Sequence, residues 1–290
     1  LEKALEELPK IRALKKDEEG RQKASVSETD PEARFMKQTD GGLAPSYNVQ
    51  LTVDGANDII VNVGVSQEVT DNGELDGAMK EAEERTGIKP EQVVADAGYT
   101  NHANIVSMAE AEIDFIGSFK DTSAMVDAQY ERRGIALDFR KEAFQYDETA
   151  DKYICPAGKE LRYVSTDRRR PGTTQIMYRA AAGTCAACPL QEKCGGNKKQ
   201  GRQIMRIVEH PAVVAFHEKM ETPEAKAAYK TRSKTAEFPN AWIKDKFELR
   251  QFHVRGMDKV KQEALWAGIT YNIQQWIRRI WRPNLAASPG

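Results

Sequence analysis

Cysteine, histidine and long apolar runs are all scarce in this sequence. Its 290 residues include 4 cysteines and 4 histidines, and no apolar run approaches the roughly 18–20 residues that a membrane-spanning helix needs. The first twenty residues are charged throughout, unlike a secretory signal peptide. The few cysteines are clustered, which is typical of a reducing compartment and not of a disulfide scaffold. We therefore expect a globular cytoplasmic protein with no membrane partner.

The net charge is also close to zero, but the two halves of the chain carry net charges of opposite sign. The formal net charge is −1. Residues 1–150 carry 17 Lys and Arg against 31 Asp and Glu, whereas residues 151–290 carry 26 against 13. Such an asymmetry indicates a surface for a polyanion in the second half. The alternative is that two faces of one domain attract each other.

Strand and helix patterns alternate in the first half of the chain. The runs Tyr47–Val53 and Ile59–Val65 predict a β-hairpin, because Asp, Gly and Asn lie between them. Two helices and two strands are predicted after the hairpin, at Asp71–Thr86, Gln92–Ala95, Thr100–Ala111 and Asp114–Phe119. This order predicts a mixed sheet covered by helices.

The remaining patterns divide the chain into four predicted segments. Residues 1–42 are a charged helical excursion, interrupted by Pro9, and a linker; residues 43–120 are the first part of an α/β core. Residues 121–206 have loop-like polar sequence and contain all four cysteines, so we interpret them as a Cys-rich insertion. Residues 207–290 are helices that complete the core. The last helix, Asp258–Trp281, has an apolar stripe that we predict to be core, made of Leu265, Ile269, Ile273, Trp276 and Ile280.

Asp96 ends a short apolar run and is followed at once by Gly98 and Tyr99. Open α/β sheets carry their chemistry at the C-terminal ends of the strands, so an aspartate there is a candidate catalytic group. The alternative is an aspartate that initiates a turn before glycine. A second acid, Glu237, favours catalysis, because two-metal phosphoryl transfer needs carboxylates that converge from distant parts of a chain.

The stretch around Glu237 reads YKTRSKTAEFPNAWIK. Tyr229 and Arg232 are three residues apart and share a helical face, while Glu237 and Lys244 are separated by about two turns. Ser233 is expected to cap a second helix. The run Tyr-x₂-Arg-x₄-Glu-x₆-Lys resembles the signature around the catalytic glutamate of bacterial insertion-sequence transposases of the DDE type. The segments TDPEARFMK, YNVQLTVD, VVADAGYTN and ALWAGITYNIQQW also resemble that family.

The resemblance implies an α/β, ribonuclease H-like fold with a mixed sheet flanked by helices. It implies that Asp96 and Glu237 are catalytic acids that bind Mg²⁺ or Mn²⁺. Tyr229, Arg232 and Lys244 would bind the transposon end, its phosphates and a flipped base. The implied activity is metal-dependent cleavage and transfer of DNA strands at insertion-sequence ends in the bacterial cytoplasm. The implied partners are double-stranded DNA and a second copy in a homodimer.

The first catalytic aspartate of that family should precede the charged helical excursion, on the opening strand of the sheet. This sequence begins within the excursion, so we expect a truncated and inactive copy. Asp54 is the nearest substitute, but it falls in the predicted hairpin turn. Two alternatives stay open, a non-catalytic DNA-binding remnant and a different nuclease with a ribonuclease H-like fold. The second alternative does not need the Tyr–Arg–Glu–Lys run.

The cysteines are Cys155 in YICPAGKEL and Cys185, Cys188 and Cys194 in CAACPLQEKC. One C-x₂-C pair with two further cysteines favours a tetrahedral zinc site with four cysteine ligands. Reduced thiols without metal and disulfides are the alternatives. The basic run Arg168–Arg170 lies in the same segment and is placed to reach DNA phosphates.

The histidines are scattered along the chain. His102 lies six residues after Asp96, and His253 precedes the last helix. Neither has a ligand partner at a useful spacing, so we expect surface or core roles for both.

Overall fold

The chain folds as a mixed α/β structure, seen in a computed structural model that describes residues 1–38 and 40–283. The helices are α1 Glu2–Ala13, α2 Glu18–Gln22, α3 Leu75–Thr86, α4 His102–Glu110, α5 Ser123–Arg132, α6 Gln191–Cys194, α7 Pro211–Met220, α8 Pro223–Arg232, α9 Phe238–Lys246 and α10 Met257–Trp276. The strands are β1 Arg34–Lys37, β2 Leu43–Ser46, β3 Asn48–Asp54, β4 Ile59–Ser66, β5 Gln92–Val94, β6 Asp114–Ile116, β7 Gln145–Asp147, β8 Lys152–Ile154, β9 Glu160–Asp167, β10 Thr173–Ala180 and β11 Gln203–Glu209.

Local sequence signals explain the elements of the first half. The hairpin is confirmed, because β3 and β4 pair antiparallel with a bulge between Thr52 and Val53. Helix α3 ends at Gly87, whose φ of 69° is the left-handed conformation that glycine adopts at helix ends. Helix α4 begins after Asn101, whose side chain accepts a hydrogen bond from the backbone N–H of Asn104.

Among residues 1–38 and 40–283, the strands of the first half do not pair into the predicted mixed sheet. Strands β3 and β4 make one two-stranded sheet, and β5 and β6 make a second, parallel one. Among the described residues no strand pairs with β3 or β5 on its other side. Helix α3 packs against both β3 and β4 and against α4, so the two pairs belong to one layer of the protein without sharing backbone hydrogen bonds.

Two apolar clusters hold this layer together. The first joins α3, β5, α4, β6 and α7, with Val213 fully buried and Phe115 stacked on Phe216 at a ring-centroid distance of 5.6 Å. The second joins β4, α9 and α10 around the fully buried Tyr271. The first cluster contains Val93 of β5 and Ala95, so it fixes the segment that leads to Asp96.

Residues 145–209 form a five-stranded antiparallel sheet in the order β11-β10-β9-β8-β7. The expectation of loop-like structure here was wrong, because short strands with alternating aromatic residues build a small core. Leu161 and Tyr178 are both 0 % exposed, and Tyr178 contacts Tyr153 edge-to-face at 5.1 Å. Polar composition concealed these strands because their outer faces are solvated.

The apolar stripe predicted as core on the last helix is exposed instead. Ile273 and Trp276 are each 53 % exposed. The buried face of α10 is made of Val260, Ala264, Ala267, Gly268, Tyr271 and Gln275. A Cβ atom on Gly268 would lie 3.0 Å from a methyl carbon of Val63. Small residues are therefore what lets α10 approach β4, and the bulky side chains point outward.

Three further local expectations need correction or comment. Pro9 lies inside α1 and does not interrupt it. The linker expected at Ala24–Gly42 contains β1, which pairs with β2. Ser233 does not cap the start of a second helix: it follows α8 and opens a π-helical turn, Ser233–Glu237, that connects α8 directly to α9. Across residues 1–38 and 40–283, no helix combines the length and apolar character needed to cross a membrane.

Candidate functional site

Asp96 lies two residues beyond the C-terminal end of β5, as the sequence predicts. Its Oδ1 accepts a hydrogen bond of 2.7 Å from the backbone N–H of Gly98, and its backbone carbonyl accepts one from Tyr99 N–H. The turn-initiating arrangement is therefore present. It engages one carboxylate oxygen only, and within the described part of the chain Oδ2 has no hydrogen-bond partner.

Asp71 is the carboxylate that the structure places beside Asp96. A Cβ atom on Gly98 would lie 2.9 Å from Oδ2 of Asp71 and 2.9 Å from Oδ1 of Asp96, so these two oxygens are separated by no more than twice that distance. Oδ1 of Asp71 accepts hydrogen bonds from Asn48 Nδ2 at 2.8 Å and from Gln50 Nε2 at 2.9 Å. Asp71 is thus tied to β3 and Asp96 to β5. We call Asp71 and Asp96 the acidic site.

The acidic site affects the tyrosine next to it. Burial raises the pKa of Tyr99, and the negative charges of Asp71, Asp96 and Glu74 raise it further. Tyr99 therefore stays a neutral hydroxyl at any physiological pH. Burial disfavours any charge there, whereas the negative charges of the three carboxylates favour a cation.

Sequence reasoning missed Asp71, because the residue reads as the start of a helix. It stands instead in a short 3₁₀ turn, Asp71–Gly73, before α3. The signal that identifies it is the polar face of β3, where Asn48 and Gln50 alternate with apolar residues and need a buried partner. Gln50 is 5 % exposed and depends on Asp71 for one of its hydrogen bonds.

Glu237 ends the π-helical turn between α8 and α9. Its carboxylate accepts a contact of 2.7 Å from an Arg232 guanidinium nitrogen. Arg232 in turn lies over the ring of Tyr229, 5.4 Å from its centroid, so the predicted shared face of these two residues is confirmed. The Arg232 side chain is only 23 % exposed, whereas that of Glu237 is 55 % exposed. Lys244, in α9, is exposed.

The structure does not bring Asp96 and Glu237 together with a third acidic ligand. In residues 1–38 and 40–283, the group of three side chains close enough to share a metal ion is His102, Glu209 and His217. The oxygen donors of Asp71 and Asp96 suit Mg²⁺, but Glu237 is held by Arg232. These residues therefore offer part of a divalent-cation site and not a complete two-metal centre.

Asp54 has a different task. It is the last residue of β3, and its two carboxylate oxygens accept hydrogen bonds from Ala56 N–H at 3.0 Å and from Asn57 Nδ2 at 2.6 Å. Both partners belong to the hairpin turn. Asp54 is engaged in closing that turn, which agrees with the sequence-based doubt about a catalytic role.

The four cysteines surround one cavity beside the five-stranded sheet. The cavity has a volume of about 20 Å³ and is lined by Cys155, Cys185, Cys188 and Cys194. A cavity holds a single water-sized particle once its volume exceeds roughly 10–15 Å³. No three of the sulfur atoms lie within 4.8 Å of one another in the described chain, so a bound ion would draw them inward. We call these residues the cysteine pocket.

Backbone amides already point at the sulfur atoms. Lys159 N–H donates to Cys155 Sγ at 3.3 Å, and Arg202 N–H donates to Cys185 Sγ at 3.3 Å. Burial raises the pKa of the Cys194 thiol, while the nearby Arg202 guanidinium lowers it. Donors aimed at sulfur stabilise thiolates, the form in which cysteine binds metal. All four cysteines are free thiols in the structure.

Comparison with known proteins addresses the second half of the chain. Residues 154–277 match the family model described as Transposase DDE domain. The match includes the cysteine pocket and the stretch around Glu237, but it does not reach Asp96. The comparisons with curated proteins and with solved structures gave no match. The similarity to DDE transposases seen in the sequence is therefore confirmed over residues 154–277.

Proposed function

The chain carries a transposase DDE domain over residues 154–277, and from this premise we propose that it acts on DNA at the ends of an insertion sequence. The family match is the observation that carries the proposal. The domain implies a ribonuclease H-like fold and a DNA substrate. The proposed reaction is metal-dependent attack of water or of a DNA 3′-hydroxyl on a phosphodiester.

Asp96 and Glu237 are the proposed catalytic acids. Bound divalent cations would activate the attacking oxygen and stabilise the leaving one. Support for Asp96 comes from its place after β5 and from its free second oxygen; Asp71 adds a neighbouring carboxylate. Support for Glu237 comes from its position inside the matched family region. Arg232 contacts one oxygen of this glutamate, so a cation bound there would compete with the guanidinium for the carboxylate.

We propose that a further acid would come from a strand between β3 and β5. Both strands have an edge without a backbone partner among the described residues, and Asn48 and Gln50 of β3 donate hydrogen bonds to Asp71, which lies beside Asp96. A strand inserted there would continue both two-stranded sheets and end beside Asp96. Without such an acid, we expect the 290-residue chain to bind Mg²⁺ weakly and to lack cleavage activity.

Tyr229, Arg232 and Lys244 are the proposed DNA-binding residues. Their roles differ in the folded chain. Lys244 is exposed and free to contact a phosphate, whereas Arg232 is largely covered and organises Tyr229 and Glu237. Lys244→Ala should therefore weaken DNA binding uniformly and reduce the salt dependence by about one phosphate contact. Arg232→Ala should also release Glu237.

A non-catalytic DNA-binding protein is the second candidate function. The specific observation that favours it is the ion pair between Glu237 and Arg232, which withholds a catalytic acid. In this case the net positive charge of residues 151–290 would bind duplex DNA without cutting it. The two candidates share DNA binding and differ in cleavage.

The test measures binding and nicking on one DNA. Fluorescence anisotropy with a labelled duplex at several salt concentrations gives affinity and its salt dependence, which should be steep because bound phosphates release counterions. Nicking of supercoiled plasmid with Mg²⁺ or Mn²⁺ gives activity. Salt-independent binding would contradict the DNA-binding proposal.

Two substitutions of proposed ligands and one control substitution test which residues are responsible for any nicking. Asp96→Asn and Glu237→Gln remove one proposed ligand each, and Glu224→Gln changes an exposed glutamate in the first turn of α8. If the chain extended by an aspartate-bearing strand nicks DNA, both ligand variants should abolish activity and the α8 variant should keep it. Nicking by the unextended chain that disappears in Asp96→Asn would show that a complete centre exists already, with Asp71 as its first suspect.

A further inference from the structure

Residues from three segments that are distant in sequence, α4, β11 and α7, lie together at the start of α4. His102 is the first residue of α4, Glu209 is the last residue of β11, and His217 lies in α7. The contact is close, because a Cβ atom on Gly172 would lie 2.8 Å from the Cβ of His102. Gly172 has a φ of 74° and precedes β10, so the end of the five-stranded sheet presses directly on the start of α4.

The two imidazoles face one carboxylate without hydrogen bonding to it. His102 Nε2 lies 3.6 Å from Glu209 Oε1, and His217 Nε2 lies 3.8 Å from Glu209 Oε2. Both distances are too long for an N–H···O hydrogen bond. Ligand atoms around a tetrahedral zinc ion lie roughly 3.3 Å apart, given metal–ligand bonds of about 2.0–2.1 Å. All three ligand atoms lie within 4.8 Å of one another.

The surroundings orient both rings for a ligand at Nε2. Nδ1 of His102 is hydrogen-bonded to the hydroxyl of Thr173, which leaves Nε2 directed at Glu209. The ring of His217 is stacked on Phe119 at a centroid distance of 4.7 Å and an angle of 17°. Histidines that bind metal commonly donate their other ring nitrogen to such an outer partner, which fixes the tautomer.

We propose that His102, Glu209 and His217 bind one zinc ion, which fastens the five-stranded sheet to α4 and α7. Two imidazoles and one carboxylate are a ligand set that zinc accepts with a water in the fourth position. Mg²⁺ is disfavoured because it prefers oxygen ligands. The site is separate from the cysteine pocket and from the acidic site, and it does not depend on the proposed DNA chemistry.

The experiment counts zinc in the full chain and in single variants. Glu209→Gln and His217→Gln should each lower bound zinc by one equivalent per chain, measured by elemental analysis after dialysis against zinc and then buffer. His253→Gln is the matched control, because His253 also pairs with a glutamate, Glu263 at 2.6 Å, but lacks a third ligand. It should keep the full zinc content.

Cobalt substitution separates this site from the cysteine pocket. Cobalt held by thiolates gives a sulfur-to-metal charge-transfer band, whereas cobalt held by His and Glu does not. Glu209→Gln should remove ligand-field absorption without changing any charge-transfer band. Equal zinc content in Glu209→Gln, His217→Gln and the wild-type chain would overturn the proposal.

A fourth variant keeps all three ligands and so tests the geometry even if a ligand variant folds poorly. Thr173→Val removes the hydroxyl that orients His102 and preserves the side-chain shape. Loss of such an outer partner typically weakens metal affinity by about 10–100-fold. A chelator competition should show this loss in Thr173→Val. An unchanged affinity would mean that His102 does not bind the ion.

Discussion

The cysteine pocket and the acidic site are held together in different ways. Four cysteines from one 40-residue stretch line a single cavity against the core of the five-stranded sheet. Asp71 and Asp96 instead come from two separate segments, the 3₁₀ turn before α3 and the loop after β5, and Glu237 is paired elsewhere. A ligand set from one short segment needs only that segment to fold. Carboxylates from distant segments need every strand of the sheet between them.

The largest expected effect is loss of the cysteine pocket. Cys185→Ser with Cys188→Ser should abolish zinc binding there and lower the free energy of unfolding by several kcal/mol, because structural zinc contributes about 10–16 kcal/mol of apparent binding free energy in small domains. Elemental analysis and thermal unfolding measure both. Thr184→Ser, which changes another residue lining the cavity, is the control. Absence of metal from wild-type protein purified without chelator would refute the zinc site alone.

A smaller loss of stability is expected from truncating one buried side chain in the core of the five-stranded sheet or in the core around α4. Leu161→Ala in the five-stranded sheet and Ile105→Ala in α4 both truncate a buried side chain, so each should cost about 2–5 kcal/mol. Hydrogen exchange should show the first loosening the cysteine pocket and the second loosening the acidic site. Leu265→Ala, at the exposed stripe of α10, should change the unfolding free energy by no more than about 0.5 kcal/mol. Equal losses of protection in both regions would show that they share one cooperative core.

The close approach at the acidic site predicts a further effect. Gly98→Ala places a methyl group 2.9 Å from an oxygen of each aspartate, and such overpacking costs about 1–3 kcal/mol. Mn²⁺ binding at the site should also weaken, because the carboxylates must move apart. Gly73→Ala is the matched control, since a Cβ there has no neighbour within 4 Å. Similar stability of the two variants would contradict the observed crowding.

The smallest effect concerns acid stability of the sheet. The hydroxyls of Tyr178 and Tyr146 donate hydrogen bonds to Asp151 and lower the pKa of its carboxyl below the ordinary 3.8. A lowered pKa contributes stability that is present above the ordinary value and is lost as pH falls through the folded-state value. Asp151→Asn should remove this component from unfolding curves recorded between neutral and acidic pH. An unchanged acid dependence would exclude Asp151 as a contributor.

Much of the fold follows from local patterns. The hairpin β3–β4, the end of α3 at Thr86 and the position of Asp96 after β5 each depend on residues adjacent in sequence, and all three were predicted. The buried face of α10 was not predicted. Periodicity identifies bulky residues as core, while the actual contact with β4 requires the small residues Ala264 and Gly268. Which face of a helix is buried by close approach depends on the surface that it packs against, and the sequence of the helix alone gives no information about that surface.

The candidate sites divide along the same line. The cysteine pocket was visible in the spacing of Cys185 and Cys188, and the run from Tyr229 to Lys244 was visible as a motif. Asp71 and the group of His102, Glu209 and His217 were not, since their members come from separate segments and have no mutual spacing. Along the sequence His102 has no ligand partner at a useful spacing, whereas in the fold ligand atoms of Glu209 and His217 lie within 4.8 Å of its ring nitrogen.

The π-helical turn Ser233–Glu237 joins α8 to α9 and also determines which residues of the two helices share a face. An α-helix rotates by about 100° per residue, and a π turn accommodates one extra residue within a continuous helix. The positions that face one side of α9 are therefore shifted by one residue relative to those of α8, and Glu237 is the last residue of the turn that causes the shift. Deleting one residue such as Lys234 would place Arg232 and Glu237 four residues apart, a spacing that keeps both side chains on one face of a regular α-helix. The extra residue of the π turn is therefore what lets Glu237, five positions after Arg232, lie on the same side of the helix as the Arg232 guanidinium.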